Sequence, residues 1–286
     1  MRGVLLLLGA ALLWSTGGFL IKLVDVSGMA VSSGRSLIAV CALMALTRRV
    51  PLCPSFAVIR CGALYAMTVT TFVVATKLTT AANAIVLQYA APVYVALLSA
   101  RFLHERIVIR DWIAIVLVLV GMGIFFADGI SVGSNLGNML AVLSGICFAS
   151  FVVALRQIRD QHPVDAVIVG NCVAFLVGLP WLVESTWNVP SVVGIILLGF
   201  FQLGLSYFFY TRAIVHVTAL EAVLIPVVEP LLNPVWVYLG MGEVPSPWAV
   251  LGGIIVLSAV TWRALDRRKV AVMATPSLSA TASSIS

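Results

Sequence analysis

Two ionisable residues and a short series of amides, hydroxyls and aromatic rings interrupt a 286-residue chain in which 62% of residues are apolar and 10% charged. Glu229 stands in "PVVEPLLNPVWV" between Pro226, Pro230 and Pro234, with Asn233 and Trp236 four and seven residues further on, which puts all three on one helical face. Arg35 stands in "VSSGRSLIAV". Gln202, Ser206 and Tyr210 recur every fourth residue with Tyr207 adjacent, and Tyr65, Thr68 and Phe72 make a matching stripe earlier in the chain. Trp14, Asn83, Gln88 and Tyr89 extend the set. The chemistry these types offer is recognition rather than bond breaking. Arg35 could meet a carboxylate and Glu229 an ammonium, while the rings and amides suit a small amphiphilic solute such as an amino acid. An intramembrane enzyme would want a nucleophile and a base converging from facing segments, and the apolar segments carry no His or Asp.

The elements that must hold these residues are set by composition. So little polar surface cannot coat a soluble particle of this length, and a hydrocarbon core about 30 Å thick takes roughly 20 apolar residues per helix. The sequence predicts an all-α integral membrane protein of ten spans: 3–21, 30–46, 59–76, 80–100 and 112–127, then 136–155, 166–183, 192–210, 219–238 and 248–264. The runs are continuously apolar, not alternating every second residue, which disfavours a β-barrel. The first span runs longer than a signal-peptide core and is read as retained.

Fourteen of the seventeen Lys and Arg residues fall on the side of the termini, against Lys22 and Lys77 opposite and Arg35 within a span. Cytoplasmic loops carry the excess of such residues, so both termini are expected in the cytoplasm and the protein in the inner membrane. The same signal accounts for the net charge of +6 without nucleic acid. No GxxxxGK[ST] loop, no His or Cys pair at metal-ligand spacing and no CxxC occur, so no cofactor or metal is expected. Residues 266–286, basic and then Ser/Thr/Ala-rich, are expected to be a disordered tail.

The chain repeats a phrase. Pro92 and Pro230 are 138 residues apart, as are Glu105 and Glu243, Thr80 and Thr218, Phe72 and Tyr210, and Thr68 and Ser206; with a slip of two, Arg35 meets Asn171 and Trp112 meets Trp248. Two copies, 1–127 and 128–265, follow. Five helices each is an odd number, so the second copy enters the membrane inverted, an arrangement found in secondary transporters whose sites lie between the halves.

The stretches "LTTAANAIVLQYAAPVYVALLSARFLHER" and "YFFYTRAIVHVTALEAVLIPVVEPLLNPVWVYLGMGE" resemble the two EamA repeats of the drug/metabolite transporter superfamily. "ALLWST" from Ala11, Arg35 in the second span, Glu105-Arg106 and Glu229-Pro230 carry the likeness further; His104 stands where a glycine is usual. The resemblance implies two inverted five-helix bundles around a central cavity and, usually, export of small metabolites or drugs. Uptake or facilitated diffusion of the same solutes is the alternative, and a non-transporting helper subunit a remoter one. Trp14, Arg35, Tyr65, Thr68, Gln88, Gln202, Ser206, Tyr210, Glu229 and Asn233 are the expected solute contacts. Pro92, Pro230 and Glu229 are the candidates for gating or proton coupling. The plainer readings are that Glu229 braces backbone loosened by Pro230, that Arg35 snorkels to the surface, and that the polar stripes only join neighbouring helices. A homodimer stays open, since no GxxxG face stands out.

Overall fold

A computed structural model describes residues 2–17, 20–21, 24–129, 134–232 and 246–273. Its elements are helices: α1 (Arg2–Trp14), α2 (Gly28–Thr47), α3 (Phe56–Leu78), α4 (Ala81–Phe102), α5 (Ile109–Phe125), α6 (Asn135–Gln157), α7 (Pro163–Glu184), α8 (Val189–Ala213), α9 (219–231) and α10 (Pro247–Met273). Among the described residues seven helices are long and apolar enough to cross a membrane: α2, α3, α4, α6, α7, α8 and, over Pro247–Leu265, α10. Leu5, Val116, Leu176 and Ile254 are exposed on the outside of the bundle, as apolar side chains facing lipid are. Asn233, Trp236 and Glu243 lie outside the described residues.

Side-chain caps set where the helices begin. Ser27, Ser55, Thr80 and Ser134 accept from the backbone N–H three residues on, at 3.1–3.4 Å. Thr218 and Glu221 close a reciprocal capping box at the head of α9, with Thr218 N–H donating to the Glu221 carboxylate at 2.8 Å. His104 adopts φ 54°, the left-handed conformation that glycine takes most readily. This sharp turn after α4 brings Glu105 to the start of α9, where its carboxylate accepts from Ala219 N–H at 3.2 Å and pairs with Arg156 at 3.6 Å.

Two proline-linked interruptions shape the interior. α4 breaks into Ala81–Gln88 and Ala91–Phe102, with Pro92 in the first turn of the second piece, where its missing N–H costs no helical bond. α9 passes from α-helix (Ala219–Leu224) into a 3₁₀ turn (Ile225–Val227) and back (Val228–Leu231), with Pro226 in that turn and Pro230 following. α8 carries a π-helical segment, Leu198–Leu205.

α3 packs on α6 and α7, α2 on α7 and α8, and α1 on α8, while α5 pairs chiefly with α10. The α3–α7 approach needs glycine on both sides: a Cβ at Gly62 would lie 2.9 Å from the Ala166 carbonyl, and one at Gly170 would lie 2.6 Å from the Tyr65 ring. Asp111, just ahead of the span expected over 112–127, lies in the first turn of α5. It is buried, accepts from Val108 N–H at 2.9 Å, and forms an ion pair with Arg263 of α10 at 2.6 Å.

Candidate functional site

The two interrupted helices meet. Tyr89, at the α4 break, donates its hydroxyl to Glu229 Oε2 at 2.9 Å, just beyond the 3₁₀ turn of α9. Beside this bond lies a cavity walled by Trp14 of α1, Arg35 of α2, Thr68 and Phe72 of α3, Gln88 and Tyr89 of α4, Phe148 of α6, Gln202 and Tyr207 of α8, and Pro226 and Glu229 of α9. It offers about 70 Å³ to the centres of water molecules, where one water needs about 10–15 Å³. That is room for a small solute.

Arg35 carries a formal charge into this wall. It is only 1% exposed, yet it donates to Gln202 Oε1 and to the Val69 carbonyl, both at 2.9 Å, and its Nε has no partner. Among the described residues no carboxylate lies within 4.0 Å of it. Removing a cation from water without an opposing charge costs several kcal/mol, and its planar fork of donors matches a carboxylate. Glu229, in the same wall, has one oxygen engaged by Tyr89. A neutral polar chain completes the lining: Gln88 donates to Ser144 Oγ at 2.8 Å, which in turn donates to the Thr68 carbonyl at 3.0 Å. The site thus brings a guanidinium, a carboxyl group and the rings of Trp14, Phe72, Phe148 and Tyr207 to the wall of one cavity.

Six of the expected contacts, Trp14, Arg35, Thr68, Gln88, Gln202 and Glu229, line the cavity. Tyr65, Ser206 and Tyr210 do not. Tyr65 is fully buried behind Tyr207 and accepts from Asn171 at 3.0 Å. Ser206 donates to backbone carbonyls of its own helix, those of Gln202 and Leu203. Tyr210 is fully buried and donates to the Ala222 carbonyl at 3.2 Å, joining α8 to α9. Pro92 and Pro230 are buried at the helix interruptions rather than in the wall, and Asn233 lies outside the described residues.

Beside the cavity lies a layer of tilted and edge-to-face rings. Tyr207 meets Trp14 at 5.1 Å, Tyr65 at 4.8 Å and Tyr210 at 5.8 Å between centroids, and Phe151 abuts Tyr65 at 5.3 Å. The layer runs from Tyr207 in the cavity wall to Tyr210, whose hydroxyl reaches the Ala222 carbonyl in the first turns of α9, next to the α8–α9 turn. Phe148 had no polar signature to mark it. Tyr207 stands beside the stripe of Gln202, Ser206 and Tyr210 and Tyr89 beside Gln88 in the sequence, and their place in the wall follows from the π segment and the α4 break.

The model of the EamA-like transporter family matches residues 1–127 and again 135–263. The chain belongs to this family. Among its relatives, the pseudopaline exporter CntI of Pseudomonas aeruginosa (strain UCBPP-PA14) is 32% identical over 197 residues, 66% of each chain. The uncharacterized transporter YdfC of Bacillus subtilis is 28% identical over 200 residues, 68% of this chain and 65% of the other. The match thus spans just under two thirds of these relatives' own length. A crystal structure with a TM-score of 0.79 covers 94% of this chain and 98% of its own at 19% identity, which establishes a shared fold. This EamA-like protein is therefore a multi-pass membrane protein of a transporter family.

Proposed function

We propose that this protein is a secondary transporter that exports a small metabolite carrying a carboxylate and an amine, an amino acid or a compound derived from one, across the inner membrane by alternating access. The observation that carries the reading is Arg35, a buried guanidinium with an unpartnered Nε and no carboxylate of the described residues within 4.0 Å, in the wall of a cavity that Glu229 also lines. A solute carboxylate supplies the missing countercharge, and Glu229 with Tyr89 receives the ammonium. The relative named as an exporter supports the outward direction.

The architecture we propose is ten transmembrane helices in two inverted five-helix repeats, with both termini cytoplasmic. Two successive family matches support the repeat. So does the packing, because exchanging the halves converts α3–α7 into α2–α8 and α3–α6 into α1–α8, all four of which occur. The hydrogen bond from Arg35 to Gln202 has its counterpart in that from Asn171 to Tyr65. Tyr65 and Gln202 are 137 residues apart whereas Thr68 and Ser206 are 138 apart, and the one extra residue coincides with the π segment of α8, as a π-bulge would insert. Proton coupling through Glu229 completes the proposal.

The test compares small molecules outside cells that overproduce the wild type with those outside cells making equal amounts of membrane-inserted Arg35→Gln. We expect at least one solute bearing both a carboxylate and an amine to rise outside wild-type cells alone. Identical profiles from both strains contradict export through this cavity.

A further inference from the structure

Asn171 is fully buried in α7, about 12 Å along the helix from its Pro163 end at 1.5 Å per residue. Its amide donates to Tyr65 Oη at 3.0 Å and to the Val167 carbonyl at 2.9 Å. A carbonyl can only accept, so the second bond fixes which end of the amide is nitrogen. The other end, Oδ1, has no partner. An unpaired buried acceptor costs about 1–3 kcal/mol, and packing alone would be served better by an apolar residue. Arg35, 136 residues earlier in the corresponding place, shows the complementary defect: its Nε is a buried donor with no partner. One half of the protein therefore holds an orphan donor in the wall of the cavity. The other half holds an orphan acceptor beneath the aromatic layer, separated from the cavity by Tyr207, which lines the cavity and meets Tyr65 edge-on at 4.8 Å and 83°.

We infer that Asn171 and Tyr65 form a second solute half-site, used when the protein opens toward the face carrying the α8–α9 turn, with Asn171 Oδ1 accepting an N–H or O–H of the solute. The inference rests on the transporter reading with two inverted halves. In the conformer described here the solute's carboxylate lies at Arg35. After the exchange, the Tyr207–Tyr65 contact parts and the solute's donor end is held at Asn171. The polarity of recognition is thus opposite on the two faces. A solute with only a carboxylate is gripped on one face alone, whereas a solute carrying a carboxylate and an N–H or O–H donor is gripped on both.

The test uses the full-length chain with its five native cysteines replaced by alanine and one cysteine returned at a time. The positions are Asn171→Cys, Tyr65→Cys as a second reporter of the same half-site, Gln88→Cys in the cavity wall, and Val256→Cys, fully buried between α5 and α10. Right-side-out and inverted membrane vesicles are treated with a membrane-impermeant maleimide, and the topological side of the α8–α9 turn is read from a cysteine placed at Val215. We expect Asn171→Cys, or Tyr65→Cys if the former does not insert, to react at least ten times faster than Val256→Cys from the α8–α9 turn face only, and Gln88→Cys to react from the opposite face. Protection of both half-site reporters at the Val256→Cys level on both faces, with Gln88→Cys reactive, overturns the second half-site and leaves the transporter reading standing. Labelling of the half-site reporters only from the opposite face likewise overturns it. Protection of Gln88→Cys as well removes the water-filled cavity and with it both readings.

Discussion

Replacing Arg35 with leucine separates a binding role from a scaffolding one, because the two predict opposite effects. The substitution removes two hydrogen bonds at 2.9 Å, to Gln202 and to the Val69 carbonyl, and leaves Gln202 Oε1 unpaired, at about 1–3 kcal/mol. It also removes a guanidinium held in a wall with no carboxylate within 4.0 Å, whose desolvation costs several kcal/mol. These contributions oppose each other, so the net change in stability is expected within about 2 kcal/mol of zero. Recognition has no such compensation. Losing a charge-assisted hydrogen bond worth about 1.5–3 kcal/mol raises the half-saturation concentration for the exported solute about 10- to 150-fold at 1.36 kcal/mol per tenfold. The assay pairs melting in detergent with flux across proteoliposomes. Arg35→Lys keeps the charge but not the fork of donors, and is expected to fall between. A variant that melts far below the wild type but transports with unchanged half-saturation would refute the reasoning and make Arg35 a strut.

Asp111→Asn removes the charge that Arg263 meets in the α5–α10 interface and is expected to cost about 3–5 kcal/mol, seen as a large fall in melting temperature; Asp111→Leu combined with Arg263→Met should recover most of it. Gly170→Ala forces a methyl to within 2.6 Å of the Tyr65 ring, an overpacking expected to cost about 1–3 kcal/mol and to slow flux more than it weakens binding, as measured by separate titration and turnover. Glu229→Gln should insert and fold but lose the dependence of flux on pH; a wild-type profile would remove Glu229 from coupling.

The helices were legible because continuous apolar runs of about 20 residues match the thickness of a bilayer's hydrocarbon core, and α2, α3, α4, α6, α7 and α8 begin and end within about three residues of the sequence-predicted spans. The site was legible residue by residue rather than as faces. Arg35, Gln202 and Glu229 betray themselves, since a polar group of that kind is rarely left in lipid. The stripe Gln202, Ser206 and Tyr210 assumes an α-helical period, but Leu198–Leu205 is π-helical, with its hydrogen bonds one residue longer. Gln202, Leu203 and Tyr207 consequently face the cavity while Ser206 and Tyr210 turn into helix contacts. In α4 the break after Gln88 plays the same part, turning Tyr89 toward Glu229. The proline spacing announced that interruptions occur near Pro92 and Pro230, and only the fold tells which side chains they re-aim.

The most direct measurement of the central claim is flux of the solute found outside overproducing cells, carried out in proteoliposomes containing only the purified protein, with an imposed gradient and with Arg35→Leu in parallel. Saturable transport by the wild type, lost or strongly right-shifted in Arg35→Leu, is the expected result. Flux no greater than through protein-free liposomes, or equal in both proteins, would contradict transport through the Arg35–Glu229 cavity.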